Sequence, residues 1–368
     1  YASALPPPPS PMNLFDTIVR HGHERVCFHQ DPETGLAAII AVHSTVLGNA
    51  LGGTRRWAYA TEDEALYDVL RLSEGMTYKA AAADLKMGGA KSVIILPKAG
   101  LAGTEAEARA MGRFVDTFSG TYIAAEDVGV NTQYVDWMAR ETKHVMGGVS
   151  VSTGGDPSPF TAQGCFNSMK ASLAHLGRCV DFSGLTVAMQ GLGATGFLLA
   201  KLLRQAGASV VGTDMNEVAV KRAVSELGVS ALSRDQDLFA LKCDILAPCA
   251  LGGVLNPAVI GKLKCTVVCG TANNVLADPD ADGALLKERG ILYAPDFVVN
   301  AGGLIRLAGL YLGMTEAQVD RKVADIEETT AAVLRQGDSM PSMHTAAVAY
   351  AKQRIESGRK HKREMARA

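Results

Sequence analysis

Residues Leu185–Asp214 read LTVAMQGLGATGFLLAKLLRQAGASVVGTD, and this stretch decides the fold. A β-rich run, LTVAMQ, leads into GLGATG at Gly191–Gly196. An apolar helical run then ends at Gly207, and a second β-rich run, SVVGTD, closes on Asp214. Strand, glycine-rich turn, helix and strand in that order make the opening of a Rossmann-type parallel sheet. Gly191 permits the tight turn, Gly193 lets backbone approach a pyrophosphate, and Gly196 lets the helix pack closely on the strand. Leu192, Ala194 and Thr195 complete the turn and bring backbone N–H groups to the positive end of the helix dipole, where phosphates bind. Asp214 lies 18 residues beyond Gly196, near the ~20 expected of the acid that accepts ribose hydroxyls. Its negative charge would repel a 2′-phosphate, which favours NAD over NADP.

Toward the C terminus three more apolar runs end in small or polar residues: DILAPCALGG, TVVCGTANN and ILYAPDFVVNAGG. Ligands of an open parallel sheet lie beyond the carboxyl ends of its strands. Cys249, Ala250, Ala272, Asn273, Asn274 and Asn300 are thus expected to line the nicotinamide side.

Toward the N terminus, Arg25–His29 and Leu36–His43 flank the turn residues Asp31, Pro32 and Gly35, a hairpin signal. TEDE at Thr61–Glu64 reads as a capping box opening a long helix. A strand SVIIL, an amphipathic helix over 104–118 and a strand YIAAED follow, which predicts an α/β domain with a mixed sheet. Residues 147–159 are rich in Gly, Ser and Pro and read as a hinge. The expected division is a disordered polyproline-like tail over 1–11, a substrate-binding and oligomerisation domain over 12–147 with about 330–368, and an NAD-binding domain over 148–329. A cleft is expected between the two domains.

The 368 residues are 48% hydrophobic and 20% charged, with a formal net charge of -2. That balance gives no reason to expect nucleic acid or a membrane surface as partner, and no apolar run reaches the ~20 residues of a membrane helix. Seven cysteines without a CxxC pair read as reduced thiols of a cytoplasmic protein, Cys265 and Cys269 lying in a buried strand. His21, His23 and His29 lack partners at metal-ligand spacing, so no metal is expected.

Two lysines stand in apolar, glycine-rich company: Lys79 in GMTYKAAAADL and Lys91 in KMGGAKSVIIL. Burial and a neighbouring cation both disfavour an ammonium, which would free an amine to act as a base. Asp127, in AAEDVG, is a third candidate for the same place.

With these motifs in order, the chain resembles the Glu/Leu/Phe/Val amino acid dehydrogenase family from about Met12 to its last helix. The carrying segments are LGGTR, GMTYK, MGGAK, AEDVG, PSPFTAQG, GLGATG, APCALGG, TANN and PDFVVNAGG. The first half is most similar to the leucine-specific branch, and GILYAPDFVVNAGG is equally similar to the phenylalanine-specific branch. The resemblance implies NAD-dependent oxidative deamination of an L-amino acid to its 2-oxo acid and ammonia, reversibly, by a homo-oligomer. It implies that Lys79, with Gly52 or Gly53, binds the substrate carboxylate and that Lys91 activates water. It further implies that Asp127 exchanges a proton with the substrate amine. Thr161 and Asn273 or Asn274 would contact the nicotinamide portion, and Asn300 its carboxamide or the substrate. Closure about the hinge would expel water.

By the same resemblance the side-chain pocket is lined by Leu51, Met76, Ala125, Met146, Pro157 and Leu304. With no cation among them, glutamate is disfavoured. Leu51 and Ala125 match the leucine branch; Met146 and Leu304 depart from it. Leucine and other branched aliphatic substrates are therefore expected ahead of phenylalanine or tryptophan. The alternative from another class is a non-catalytic NAD-binding protein, which would be expected to have lost Lys91 or Asp127.

Overall fold

The hairpin forms where the turn residues place it. Gly35, at φ +73°, lets the chain reverse between β1 (Arg25–Asp31) and β2 (Leu36–Ser44), which pair antiparallel. These and all other elements come from a computed structural model that describes residues 13–150, 156–233, 236–250 and 252–365. The described chain divides into two compact units. One comprises Asp156–Gly309 and Gly313–Tyr350, the other 13–150, Leu310–Leu312 and 351–365. The tail expected over 1–11 lies outside the described residues, as do 151–155 of the expected hinge.

In the N-terminal unit β1 and β2 join β3 (Ala50–Trp57), β4 (Gly88–Ile95) and β5 (Tyr122–Ala125) in the order β1-β2-β4-β3-β5. β2 runs antiparallel to β4, while β3 is parallel to β4 and β5. This is the mixed sheet expected. Helices α1 (Leu14–His21), α2 (Glu62–Ala82), α3 (Glu105–Asp116) and α4 (Thr132–Met138) accompany it. Side chains alternate across a strand, and each face of the sheet has its own helix. Ile40, Ala90 and Ile94 pack with Met111, Phe114 and Val115 of α3 in one core. On the other face, a Cβ added to Gly89 would lie 2.1 Å from the backbone N of Thr77 in α2, so glycine there admits the helix. Thr61 caps α2 by accepting from the Glu64 N–H (3.1 Å). The expected reciprocal bond differs: the Glu64 carboxylate reaches the N–H of Ala60, not of Thr61 (2.9 Å).

The C-terminal unit holds six parallel strands: β6 (Thr186–Gln190), β7 (Ser209–Thr213), β8 (Ser230–Ala231), β9 (Ile245–Pro248), β10 (Val267–Val268) and β11 (Leu292–Tyr293). Their order, β11-β10-β9-β6-β7-β8, reverses direction between β6 and β9, which is the ligand-binding crevice of a doubly wound sheet. Helices α5 (Ser158–His175) and α6 (Ala194–Gln205) pack beside it. The expected return to the substrate domain at about residue 330 is corrected. Helix Ile326–Gly337 stays on α5, through Ser168 Oγ to Thr330 Oγ1 (2.8 Å) and Lys170 to Glu327 (2.9 Å). The change falls instead inside the last helix, Met343–Met365, after Tyr350. Ser and Thr hydroxyls paired in a buried contact bind that helix to α5 more firmly than sequence periodicity could reveal.

All seven cysteines are unpaired thiols, and Cys265 and Cys269 are buried. Among the described residues no helix is long and apolar enough to cross a membrane, and no cluster of three His, Cys, Asp or Glu side chains is arranged to hold a metal. His23 and His43 instead bond to Ser73 and Thr77 of α2 at 2.9 and 2.8 Å.

Candidate active site

In the N-terminal unit, glycines on β3 determine what can come close. A Cβ on Gly52 would lie 1.7 Å from the Ala90 carbonyl oxygen, so β3 and β4 interleave tightly here. A Cβ on Gly53 would lie 2.5 Å from the Glu126 carbonyl oxygen and 2.8 Å from Cβ of Asp127, so glycine admits the Asp127 backbone. Lys91, on β4, points to the same face as Gly89, two residues before it. The result is an ion pair between Lys91 Nζ and Asp127 Oδ2 at 2.9 Å, with the lysine side chain 7% exposed and the aspartate 22%.

Burial and the nearby Arg55 guanidinium lower the Lys91 pKa, and the Asp127 carboxylate only partly offsets them. Burial alone would raise Asp127, but Lys91 and Arg55 outweigh it and hold the carboxyl at about 2. An ionised aspartate beside a lysine that gives up its proton readily is the arrangement a general base requires.

Sequence reading missed two members of this site. Arg55 Nε reaches the same Asp127 Oδ2 at 3.1 Å, while its Nη1 reaches Asp68 Oδ2 at 2.8 Å. Asp68, on α2, is fully buried and also accepts from Tyr59 Oη (2.8 Å) and Arg71 Nη2 (3.1 Å). The available signal was position: Asp68 shares the α2 stripe of Ala65 and Leu72 at helical spacing, where a solvated acid does not belong.

Other predicted residues of this unit fall nearby in the fold. Lys79 and Met76 are half-buried, one turn apart on α2. Leu51 is buried on β3, and Ala125 ends β5 opposite Gly53. Met146 is buried and donates its backbone N–H to Ala124 (2.8 Å).

In the C-terminal unit the dinucleotide fingerprint meets its physical requirements. Gly191, at φ +100°, packs against Cys249 and Ala250 at the end of β9. A Cβ on Gly196 would lie 2.2 Å from the Gly191 carbonyl oxygen. A Cβ added to Gly193 would meet nothing within 4 Å, so this side of the turn is open. Gly193 is the N-cap of α6 and supplies no side-chain cap, which leaves the N–H groups about Ala194, Thr195 and Gly196 for an anion. Asp214 accepts the Leu192 N–H at 2.7 Å and the Asn216 N–H at 2.8 Å, tying the acid to the turn.

Ala250, Asn273 and Asn274 are exposed at the strand ends, and Ala272 is buried beneath them. Burial pushes the Cys249 thiol up to about 11, hydrogen bonds to Thr271 partly opposing it, so the group stays neutral. Asn300 is 3% exposed and donates its Nδ2 to the Thr271 and Ala272 carbonyls and Asn273 Oδ1. Its Oδ1 is buried with no partner among the described residues. A buried carbonyl oxygen awaiting a donor fits the amide N–H of a nicotinamide carboxamide. Pro157 and Thr161, on the first turn of α5, approach Gly303: a Cβ there would lie 2.7 Å from Thr161 Oγ1 and 3.4 Å from Pro157 Cβ. Leu304 is the next residue and is buried. Pro157 and Leu304 thus belong to this unit, and the other four expected pocket residues to the N-terminal one.

Residues 23–144 match the family model described as Glu/Leu/Phe/Val dehydrogenase, dimerisation domain, and residues 213–366 match Glutamate/Leucine/Phenylalanine/Valine dehydrogenase. The chain is 44% identical over 354 residues to leucine dehydrogenase of Thermoactinomyces intermedius, covering 95% of each. It is 42% identical over 330 residues to phenylalanine dehydrogenase of Lysinibacillus sphaericus, covering 88% of this chain and 85% of that one. The crystal structure of L-tryptophan dehydrogenase from Nostoc punctiforme superposes with a TM-score of 0.82 at 36% identity, covering 94% of this chain and 99% of that one.

Proposed function

The chain belongs to the Glu/Leu/Phe/Val dehydrogenase family of amino acid dehydrogenases, and from that premise we propose that it oxidatively deaminates leucine and other branched aliphatic L-amino acids with NAD, reversibly. The observation that carries the reading is the buried Lys91–Asp127 pair at 2.9 Å. A non-catalytic binding protein has no use for a buried lysine whose ammonium form is disfavoured, because its desolvation only costs stability.

Lys79 binds the substrate carboxylate as a point charge, with the Gly52–Gly53 backbone beside it. NAD held by the residues of the C-terminal unit would supply the acceptor for the substrate Cα hydride, the oxidation that turns the amine into an iminium. Lys91, as the free amine, takes a proton from water, and the hydroxide adds to the iminium carbon. Asp127 holds the resulting Lys91 ammonium and exchanges a proton with the amine nitrogen as the carbinolamine collapses to 2-oxo acid and ammonia. Gly191–Gly196 would cradle the pyrophosphate, Asp214 would take the ribose hydroxyls, and Thr161, Asn273, Asn274 and Asn300 would hold the nicotinamide end. Asp214 disfavours a 2′-phosphate by charge, which supports NAD.

Leu51, Met76, Ala125 and Met146 of the N-terminal unit, and Pro157 and Leu304 of the C-terminal unit, are all apolar, and no cation stands among them. One methylene changes discrimination by about 1–3 kcal/mol, so several apolar amino acids are turned over. Aromatic substrates are the second reading, favoured by Leu304 and by similarity to the phenylalanine and tryptophan enzymes. The enzyme works as a homo-oligomer, a reading supported by the match of residues 23–144 to a dimerisation domain.

Initial rates of NADH formation with leucine, valine, phenylalanine, tryptophan and glutamate test the assignment. Leucine should give the highest kcat/KM and glutamate the lowest; a higher value for phenylalanine or tryptophan moves the enzyme to the aromatic reading. Lys91→Ala should bind NAD normally and lose about 10²–10⁴-fold in kcat. Wild-type turnover in that variant removes Lys91 from its role.

A further inference from the structure

Five side chains of the N-terminal unit form one chain of contacts: Tyr59 to Asp68, Asp68 to Arg55, Arg55 to Asp127, and Asp127 to Lys91, at 2.8, 2.8, 3.1 and 2.9 Å. Arg55 uses two different N–H groups, Nε and Nη1, so its plane bridges two carboxylates instead of gripping one as a fork. Asp68 is fully buried and bonded through both oxygens, Oδ2 to Arg55 and Tyr59, Oδ1 to Arg71. It is therefore the fixed end of the chain. The free end is Asp127, whose Oδ2 takes both Arg55 and Lys91.

Resting on the deamination reading, we propose that Arg55 and Asp68 are a positioning pair for that reaction. Asp68 fixes the guanidinium, the guanidinium holds Asp127 Oδ2, and Asp127 is thereby divided between Arg55 and Lys91. An undivided carboxylate would bind the Lys91 ammonium too well to let it act as a base. With Arg55 drawing on the same oxygen, the ammonium is weakly held. The groups that set this balance come from every neighbouring element. They are Arg55 from β3, Tyr59 after it, Asp68 and Arg71 from α2 (with Lys79 in its last turn), and Asp127 after β5. Arg55 disfavours the Lys91 ammonium, while Asp68 and Asp127 favour it.

The two partners therefore predict opposite shifts. Removing the arginine charge strengthens the Lys91 ammonium, so the acidic limb of the kcat/KM profile should move to higher pH in Arg55→Gln. Removing the Asp68 charge weakens the ammonium and leaves Arg55 wholly to Asp127, so the limb should move to lower pH in Asp68→Asn. Each shift should be about one pH unit, the lower end for a neighbouring charge. Plateau kcat should fall about tenfold to a hundredfold in both from misplacement of Asp127. The double variant, which removes a cation and its anion together, should place the limb between the single variants. Arg55→Lys keeps the charge but cannot span both acids, so it should lose plateau kcat with a smaller shift than Arg55→Gln.

The experiment is the pH dependence of leucine oxidation by the full chain with NAD, with thermal melting and NADH binding reporting on folding. If Arg55→Gln does not fold, Asp68→Asn and the double variant still carry the test. Folded variants that lose activity with unmoved limbs, or limbs that move the same way, overturn the pair's role and leave a structural one. The underlying reading is judged separately: turnover surviving in Lys91→Ala would sink the base assignment, whereas unmoved limbs beside an inactive Lys91→Ala would sink only the positioning pair.

Discussion

Arg55 and Arg56 are neighbours on β3 and point to opposite faces of the same sheet, and the two faces use an identical side chain for different ends. Arg56 lies on the α3 side. Its Nε and Nη2 grip Glu107 as a fork at 2.6 and 3.0 Å, Nη2 also reaches the Ala102 carbonyl, Nη1 reaches that of Leu101, and Tyr134 completes Glu107 at 2.8 Å. One cation meets one anion, and the network closes on itself. Arg55 lies on the α2 side in a cluster of three cations, Arg55, Arg71 and Lys91, against two anions, Asp68 and Asp127. Among these five paired groups the cations outnumber the anions by one while Lys91 is protonated. A satisfied buried pair builds structure; a buried cluster with one charge too many stores a proton that leaves readily.

Removing the anion from each face should break the comparison most forcefully if it is wrong. Asp127→Asn should reduce kcat by about 10²–10⁴-fold, because Lys91 loses the partner that holds its ammonium and the substrate amine loses its proton exchanger. Glu107→Gln should cost about 3–5 kcal/mol of stability by leaving Arg56 buried without its carboxylate, with kcat near wild type in the folded fraction. Denaturant melts and steady-state rates on both proteins decide it. A Glu107→Gln enzyme that is stable but inactive would mean that the two faces are not separate in function.

How much of this contrast can be read from the chain depends on how local its cause is. Lys91, Asp127 and the Gly191–Gly196 turn were legible because each sits in a short motif whose backbone requirement is local: a glycine where a Cβ would strike, or an acid two residues beyond a strand. Arg55 stood in plain view in LGGTR, yet nothing in the motif says that its guanidinium should bridge two acids. Asp68 was invisible as a site residue because its partners come from β3, α2 and the loop after β3, and only packing gathers them. The domain boundary failed similarly. Helix periodicity beyond residue 329 identifies helices, but only Thr330 against Ser168 and Glu327 against Lys170 tell which unit owns them.

A smaller effect separates the pH dependence of stability from that of catalysis. His23, bonded to Ser73 of the same α2, is held at about 4 by burial and by His43. Its unfolded value is 6.5. Above that both states are neutral and the group contributes nothing. Between 6.5 and about 4 the unfolded chain takes up a proton that the folded chain refuses, so stability falls with acidification, by about 3 kcal/mol over the window. Thermal melts should show this decline in wild type and a shallower one in His23→Gln, while the activity limb stays in place. If the substitution moved the limb, the pH dependence of turnover would belong to the histidines, and the charge surplus around Arg55 would lose its significance.

Asp214 extends the comparison to a carboxylate placed by backbone. Where Asp127 is divided between two cations, Asp214 accepts the N–H groups of Leu192 and Asn216 at 2.7 and 2.8 Å, both of them backbone groups without formal charge. Asn at this position keeps an acceptor for the Leu192 N–H, gives up the one for the Asn216 N–H, and removes the charge. The ratio of kcat/KM for NAD to that for NADP should therefore fall about tenfold in Asp214→Asn, a charge-assisted bond differing from a neutral one by about 1–2 kcal/mol, with kcat for NAD hardly changed. An unaltered ratio would mean that cofactor choice is made elsewhere, and that a carboxylate needs a cation beside it, as Asp127 has, before its charge decides anything in this fold.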